Sequence, residues 1–302
     1  MKKFLIILIF TLFSTYSLAD KMTKSGFLDT KVSYSKVQKI VNPENKILLI
    51  YNHGQGTHDG PSNDCAWKGG MKNMSSLIGN KVKDKEIVVY LFCTGKLKGD
   101  DYKRLWNKKK FKEPYEGKPK LEKRLDANLD LIDDFVAQGF KKNHIFVTGR
   151  SCGGWMTMML LSRHKNIVGG GISLVPECYG RLTKAYKVEK VGVEEALKKF
   201  KEKEGSGPAN MRQRQIDEIK QSENLPVLVF THPKDPFGGL VSDWVEGISG
   251  VERIVISENN KVNGKSCNVW GKPIKNYHDM DRADCFKFYN TKILDFIASK
   301  ID

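Results

Sequence analysis

The sequence predicts an α/β protein built on a doubly wound, mostly parallel sheet with a small cap-like insertion. Two observations carry that expectation. Six short runs of branched apolar residues recur along the chain without polar alternation, which marks strands covered on both faces. Amphipathic stretches of helical length separate most of them, as right-handed β–α–β crossovers require.

The strand candidates, in order, are Lys46–Tyr51, Glu86–Phe92, His144–Thr148, Gly169–Val175, Leu225–Phe230 and Val251–Ser257. Lys31 to Ile40 is expected to form an outer strand or hairpin. Helices are expected over Ala66–Ile78, Leu121–Phe140, Ser151–His164 and Asp284–Ile301. The second of these brings Leu121, Leu129, Ile132 and Phe135 near one face. Two charged stretches break the alternation, at about 96–124 and 179–224. Both leave the carboxyl ends of strands, where open α/β sheets build their sites. Each reads either as a solvated elaboration or, for the second, as a cap over a site.

The first residues, MKKFLIILIFTLFSTYSLAD, join a basic start to an apolar run and then to Ser17-Leu18-Ala19. That pattern predicts a signal peptide cut after Ala19, leaving 20–302 as a single catalytic domain with the two insertions. The apolar run is short for a membrane anchor. The expected location is therefore exported, periplasmic or extracellular. Export places six cysteines in an oxidising compartment. Cys267–Cys285 would brace the loop around His278, and Cys65–Cys93 would join two strand-end loops. Cys152 and Cys178 read either as a third pair or as buried thiols.

The formal net charge of the 302 residues is +16. Such a field attracts anionic surfaces, although acids are interleaved with the bases. No nucleic-acid-binding motif is present, and no later stretch of the sequence is suited to stable membrane insertion.

The chemistry centres on Gly149-Arg150-Ser151-Cys152-Gly153, a G-x-S-x-G pattern between an apolar strand and a helix-forming segment. Small residues two before and two after the serine allow a tight strand-to-helix turn that lifts the hydroxyl clear at a helix N-terminus. In this setting the segment resembles the nucleophile elbow of the α/β-hydrolase superfamily, with Ser151 as nucleophile. The resemblance covers roughly residues 35 to 302 in pattern. It points to a secreted serine esterase near the dienelactone-hydrolase-like branch or the prolyl-oligopeptidase-like catalytic domain. Cys152 after the serine and the two basic insertions depart from the branches so named.

The resemblance implies a chain order of serine, acid, histidine. Thr231-His-Pro-Lys-Asp-Pro-Phe237 follows the fifth strand candidate and resembles the acid loop, which makes Asp235 the expected acid. Glu177 and Asp243 are the alternatives. His278 is the one histidine downstream of Asp235 and is the expected base. Asn52-His53-Gly54-Gln55-Gly56 resembles the His-Gly-X oxyanion motif. It implies an oxyanion hole from the backbone N–H groups of Gln55, or the adjacent Gly54, and of Cys152. His53 would tie that loop down.

Two other readings are weaker. Cys152 could be the nucleophile itself, but the spacing centres on Ser151. His53, His58, Asp59 and Asp64 could hold a metal, but a Gly-rich polar loop is the commoner origin of such a cluster. The expected activity is carboxylic-ester hydrolysis through an acyl-enzyme, without cofactor or metal, on a small or polymeric ester. A serine peptidase of the prolyl-oligopeptidase-like type is the alternative.

Overall fold

A computed structural model describes residues 21–22, 25–31, 33–36, 39–54, 66–93, 120–256, 267–269 and 272–301. Residues 1–19, expected to form a signal peptide, lie outside them, as do Gln55, His58, Asp59, Asp64, Cys65 and most of the first basic insertion.

One eight-stranded sheet organises the chain. Its strands are β1 (Gly26–Phe27), β2 (Lys46–Asn52), β3 (Lys81–Val82), β4 (Lys85–Phe92), β5 (Ile145–Arg150), β6 (Gly170–Leu174), β7 (Val227–Thr231) and β8 (Val251–Val255). The spatial order is β8-β7-β6-β5-β2-β4-β1, with β3 paired to β4. All pairings from β8 to β4 are parallel, and only the short β1 and β3 run antiparallel. The six expected strands are these parallel ones. The outer strand is a correction: it is Gly26–Phe27, upstream of the expected Lys31–Ile40. Asp29 explains why. Its carboxylate accepts from the Lys31 and Ser33 N–H groups and the Ser33 hydroxyl, folding the chain into a turn closed by a Leu28–Tyr34 bridge.

The helices are α1 (Lys68–Ser75), α2 (Lys120–Ala137), α3 (Cys152–Arg163), α4 (Leu182–Ala185), α5 (Val188–Val191), α6 (Val193–Glu204), α7 (Ser206–Lys220) and α8 (Asn290–Lys300). The expected last helix begins instead with a 3-10 segment, Asp284–Tyr289. Alternate residues of β2 show how the sheet is covered. Leu48 and Ile50 enter a core with α2, α3 and the α4–α7 insertion, whereas Ile47, Leu49 and Tyr51 enter a second core with α1 and α8. Every one of these side chains is buried, so the apolar run of β2 follows from burial on both faces.

The charged insertion between β6 and β7 is not a solvated elaboration. Leu182, Val188, Phe200, Met211, Ile216 and Ile219 join the first core, and Arg163 of α3 is ion-paired with Glu122 of α2 and Glu218 of α7. Apart from Arg212, which is buried, most of its charges lie on the outer faces of helices whose inner faces are apolar. Among the described residues, no helix is long and apolar enough to cross a membrane.

Phe146 on β5 is fully buried and packs edge-on against Phe296 of α8 at 6.3 Å between ring centroids. Phe146→Ala is expected to cost about 3–5 kcal/mol of unfolding free energy in urea titration. A loss below 1 kcal/mol would mean that this core does not carry the fold.

Candidate active site

The elbow depends on the closeness of β5 and α3. A Cβ on Gly149 would lie 2.4 Å from the Gly153 carbonyl carbon, and one on Gly153 would lie 2.2 Å from the Asn52 carbonyl oxygen. A side chain at Gly149 would force β5 and α3 apart, and one at Gly153 would push α3 away from the end of β2. The turn this closeness creates holds Ser151 at φ 55°, a conformation that non-glycine residues adopt at a cost of roughly 1–3 kcal/mol. The Ser151 N–H donating to the Leu174 oxygen at 2.9 Å, and the helix that starts at Cys152, hold it there.

Ser151, Asp235 and His278 meet. His278 Nε2 lies 2.9 Å from Ser151 Oγ, and His278 Nδ1 lies 2.9 and 3.0 Å from the two Asp235 oxygens. All three residues are buried. With Nδ1–H donating to the carboxylate, Nε2 is left as an acceptor for the serine proton. The Glu177 carbonyl oxygen, 3.0 Å from Oγ, is the competing acceptor.

Each partner is held locally. Asp235 Oδ1 accepts from the Phe237 N–H at 2.8 Å, and the Asp235 N–H donates to the His232 carbonyl at 3.0 Å, forming a compact turn after β7. The Phe237 ring stacks on the imidazole at 4.1 Å. His278 sits in a 3-10 segment, Tyr277–Arg282, whose N-cap Asn276 accepts the His278 N–H through its side chain.

Arg150, the variable residue before the serine in the motif, fastens these loops together. Its Nη2 donates to the His278 carbonyl at 2.6 Å and to Asp279 Oδ1 at 2.7 Å, and its Nε donates to Asp281 Oδ1 at 2.9 Å. Burial alone would lower its affinity for the proton, but Asp281 and Asp279 outweigh burial and raise its pKa above the ordinary value. Sequence reasoning missed this clasp. The signal was a charged residue at a motif position that sits inside the elbow.

The loop after β2 is held by α2. Asn52 and Asn128 exchange side-chain amide hydrogen bonds at 3.0 Å. Arg124 donates to the His53 carbonyl at 2.6 Å and to the Gly54 carbonyl at 3.4 Å. The tie to this loop thus runs through the His53 backbone oxygen. Arg124 closes a stretch read as a charged insertion, yet it is buried, and burial pushes its pKa down to about 10. Gly54 lies against the elbow, since a Cβ on it would be 3.3 Å from Ser151 Cβ. Gln55, the first choice for an oxyanion donor there, lies outside the described residues. Cys152 is in the first turn of α3, where an N–H has no intrahelical acceptor.

Cys152 and Cys178 are disulfide-bonded, with Cα atoms 4.4 Å apart, so the Cys152 sulfur is not a free nucleophile here. Cys267 and Cys285 are paired as expected and bracket the histidine segment. The Cys65–Cys93 expectation rests on Cys65, outside the described residues. The alternative acids are placed elsewhere. Asp243 is ion-paired with Arg253. Glu177 accepts the Cys178 and Tyr179 N–H groups at 2.8 and 2.7 Å and faces Arg212 Nη2 at 3.6 Å. Burial raises the Glu177 pKa above its ordinary 4.5, against the attraction of Arg212. Among the described residues, no group of three or more His, Cys, Asp or Glu side chains is placed to hold a metal ion.

No protein-family model matches the sequence, and no curated protein matches it. Solved structures do. An esterase from Pyrococcus furiosus is similar at 16% identity and a TM-score of 0.50, over 87% of this chain and 85% of that one. A hyperthermophilic esterase from Pyrobaculum calidifontis gives 15% identity and 0.48, over 86% and 76% of the two chains. A phospholipase/carboxylesterase from Dyadobacter fermentans gives 14% and 0.42, over 91% and 97%. The strand order and the Pyrococcus likeness together give this chain the α/β-hydrolase fold.

Two outcomes follow from the buried charges. Arg150→Met strands Asp281 and is expected to cost about 3–5 kcal/mol in urea unfolding, part of it recovered by adding Asp281→Asn. A single variant as stable as wild type would mean that the guanidinium does not hold the loop. The Glu177 carboxyl binds its proton more tightly folded than unfolded, so its ionisation counts against the fold. Below pH 4.5 both states are protonated and no penalty exists; it grows as pH rises from there through the raised folded pKa. Glu177→Gln is therefore expected to gain stability relative to wild type between pH 4.5 and 7.5, and an unchanged difference in paired denaturant titrations would contradict this.

Proposed function

We propose that the protein is an exported serine hydrolase that cleaves carboxylic esters through a Ser151–His278–Asp235 triad. The observation that carries this reading is the hydrogen-bonded row from the Asp235 carboxylate through both His278 ring nitrogens to Ser151 Oγ. Ser151 Oγ attacks the ester carbonyl carbon as His278 Nε2 takes its proton. The imidazolium so formed is held by Asp235 through Nδ1–H. The carbonyl oxygen becomes an oxyanion that accepts from the Cys152 N–H and from the loop after β2, through the Gln55 N–H or its neighbour Gly54. The tetrahedral intermediate collapses, and the departing alcohol takes the proton from Nε2. Water, deprotonated by the same nitrogen, then cleaves the acyl-enzyme and releases the acid.

The solved structures similar to this chain include a protein described as an esterase, which agrees with this substrate class. No observation favours the peptidase reading. The apolar N-terminal segment and the two disulfides support export to an oxidising compartment.

The purified mature chain is expected to hydrolyse p-nitrophenyl esters and to be labelled at Ser151 by a fluorophosphonate. Ser151→Ala should lower kcat by about 10⁴–10⁶-fold and abolish labelling. An unlabelled, folded wild-type protein would sink the proposal, and turnover of peptides but not esters would replace it with the peptidase reading.

A further inference from the structure

A groove of about 470 Å³ opens beside the segments that carry Asp235 and His278. Arg181, Lys184, Lys187 and Lys190 line it from α4, α5 and their flanks, and Lys234, Pro236, Lys275 and Tyr277 line it from the acid and histidine loops. Glu189 is the one acid among the described lining residues, against six bases. Among the described residues, Arg181, Lys184, Lys187, Lys190 and Lys275 form no salt bridge. This contrasts with Arg150, Arg163 and Arg253, each of which is matched by carboxylates.

The groove adjoins the proposed catalytic centre. Lys234 and Pro236 flank Asp235 in the chain, and Lys275 to Tyr277 lead into His278. The Arg181 guanidinium lies 5.2 Å from the centroid of the Phe237 ring, which also stacks on the His278 imidazole at 4.1 Å. One aromatic ring thus separates the charge of the groove from the base. Unpaired like charges on a concave wall repel one another and raise the local concentration of anions, because the low-dielectric protein behind them focuses the field. A bound anion relieves that repulsion.

We propose that this groove is an anion subsite of the Ser151 centre, and that the esters cleaved there carry a carboxylate or phosphate group on the part of the molecule that reaches past His278. The proposal rests on the ester-hydrolase reading above and adds the substrate class to it. Charge in the groove selects the ester, and the triad cleaves it.

Mono-p-nitrophenyl esters of succinic, adipic and suberic acid, each compared with a neutral ester of equal chain length, test the proposal. Wild type is expected to favour the anionic member of at least one pair, and added salt should diminish that preference. Replacing Lys184, Lys187 and Lys190 with Ser should lower the anionic-to-neutral ratio of kcat/KM by about tenfold. The same charge removed at the distant Lys141, Lys142 and Lys220 should leave the ratio within twofold. A neutral preference in every pair, or an equal fall in both triple variants, would overturn the subsite while leaving the esterase reading intact. If no ester is cleaved and Ser151 resists fluorophosphonate, the ester-hydrolase reading fails on its own. Titration with succinate and with inorganic phosphate then decides the groove: binding weakened by the Lys184/Lys187/Lys190 variant retains it and separates carboxylate from phosphate, and no binding removes it.

Discussion

Arg150 is the interaction on which the site depends. Ser151 and His278 are 127 positions apart, yet Ser151 Oγ and His278 Nε2 lie 2.9 Å from each other. Hydrogen-bond geometry tolerates errors of only a few tenths of an ångström, so the two loops need a short mechanical link. Arg150 supplies it because it is covalently next to the serine and hydrogen-bonded to the carbonyl of the histidine itself. Burying a guanidinium is costly, and only matched carboxylates make it tolerable. Asp279 and Asp281 are those carboxylates, and they come from the same segment as His278. Asn73 of α1 donates to the Asp281 carbonyl, which ties the segment to the α1 and α8 face of the sheet. A charge that would destabilise an ordinary core is thus turned into a constraint on position.

The opposite side of Ser151 is built from backbone groups braced by polar side chains. Arg124 and Asn128 project from α2 onto the end of β2, so that the loop after that strand is held against the elbow. The Cys152–Cys178 bond joins the start of α3 to the chain leaving β6. Behind it, the Trp155 indole and the Tyr179 hydroxyl both donate to Gln215 Oε1 at 2.7 Å. The insertion is therefore part of the foundation of the elbow. Its inner residues fill the core, and its outer ones, at α4 and α5, supply the cationic groove.

Much of the fold is legible in the sequence for one reason. A strand buried on both faces must be mostly apolar along its length, and Lys46–Asn52, Ile145–Arg150, Gly170–Leu174 and Val227–Thr231 are buried nearly throughout, whereas the edge strand Val251–Val255 carries Glu252 and Arg253 and has no buried residue. The elbow is legible because close packing at Gly149 and Gly153 excludes every side chain, which leaves a local trace in residue type. Asp235 and His278 are legible by order along the chain once the fold is recognised. Gly26–Phe27 is not, because a two-residue edge strand carries too few side chains to show a period.

What the sequence by itself determined is therefore whatever depends on neighbours in the chain: the parallel strands, the elbow and the order of its two polar partners. Tertiary structure alone decided the roles of Arg124, Arg150 and Glu177, and the direction in which the insertion faces. Each of these is a charged residue whose meaning depends on burial and on a partner from another element. The distance between Arg150 and Asp281 has no counterpart in their separation along the chain. A buried, clasped arginine and a solvated one are written with the same letter, and only the packing around them tells the two apart.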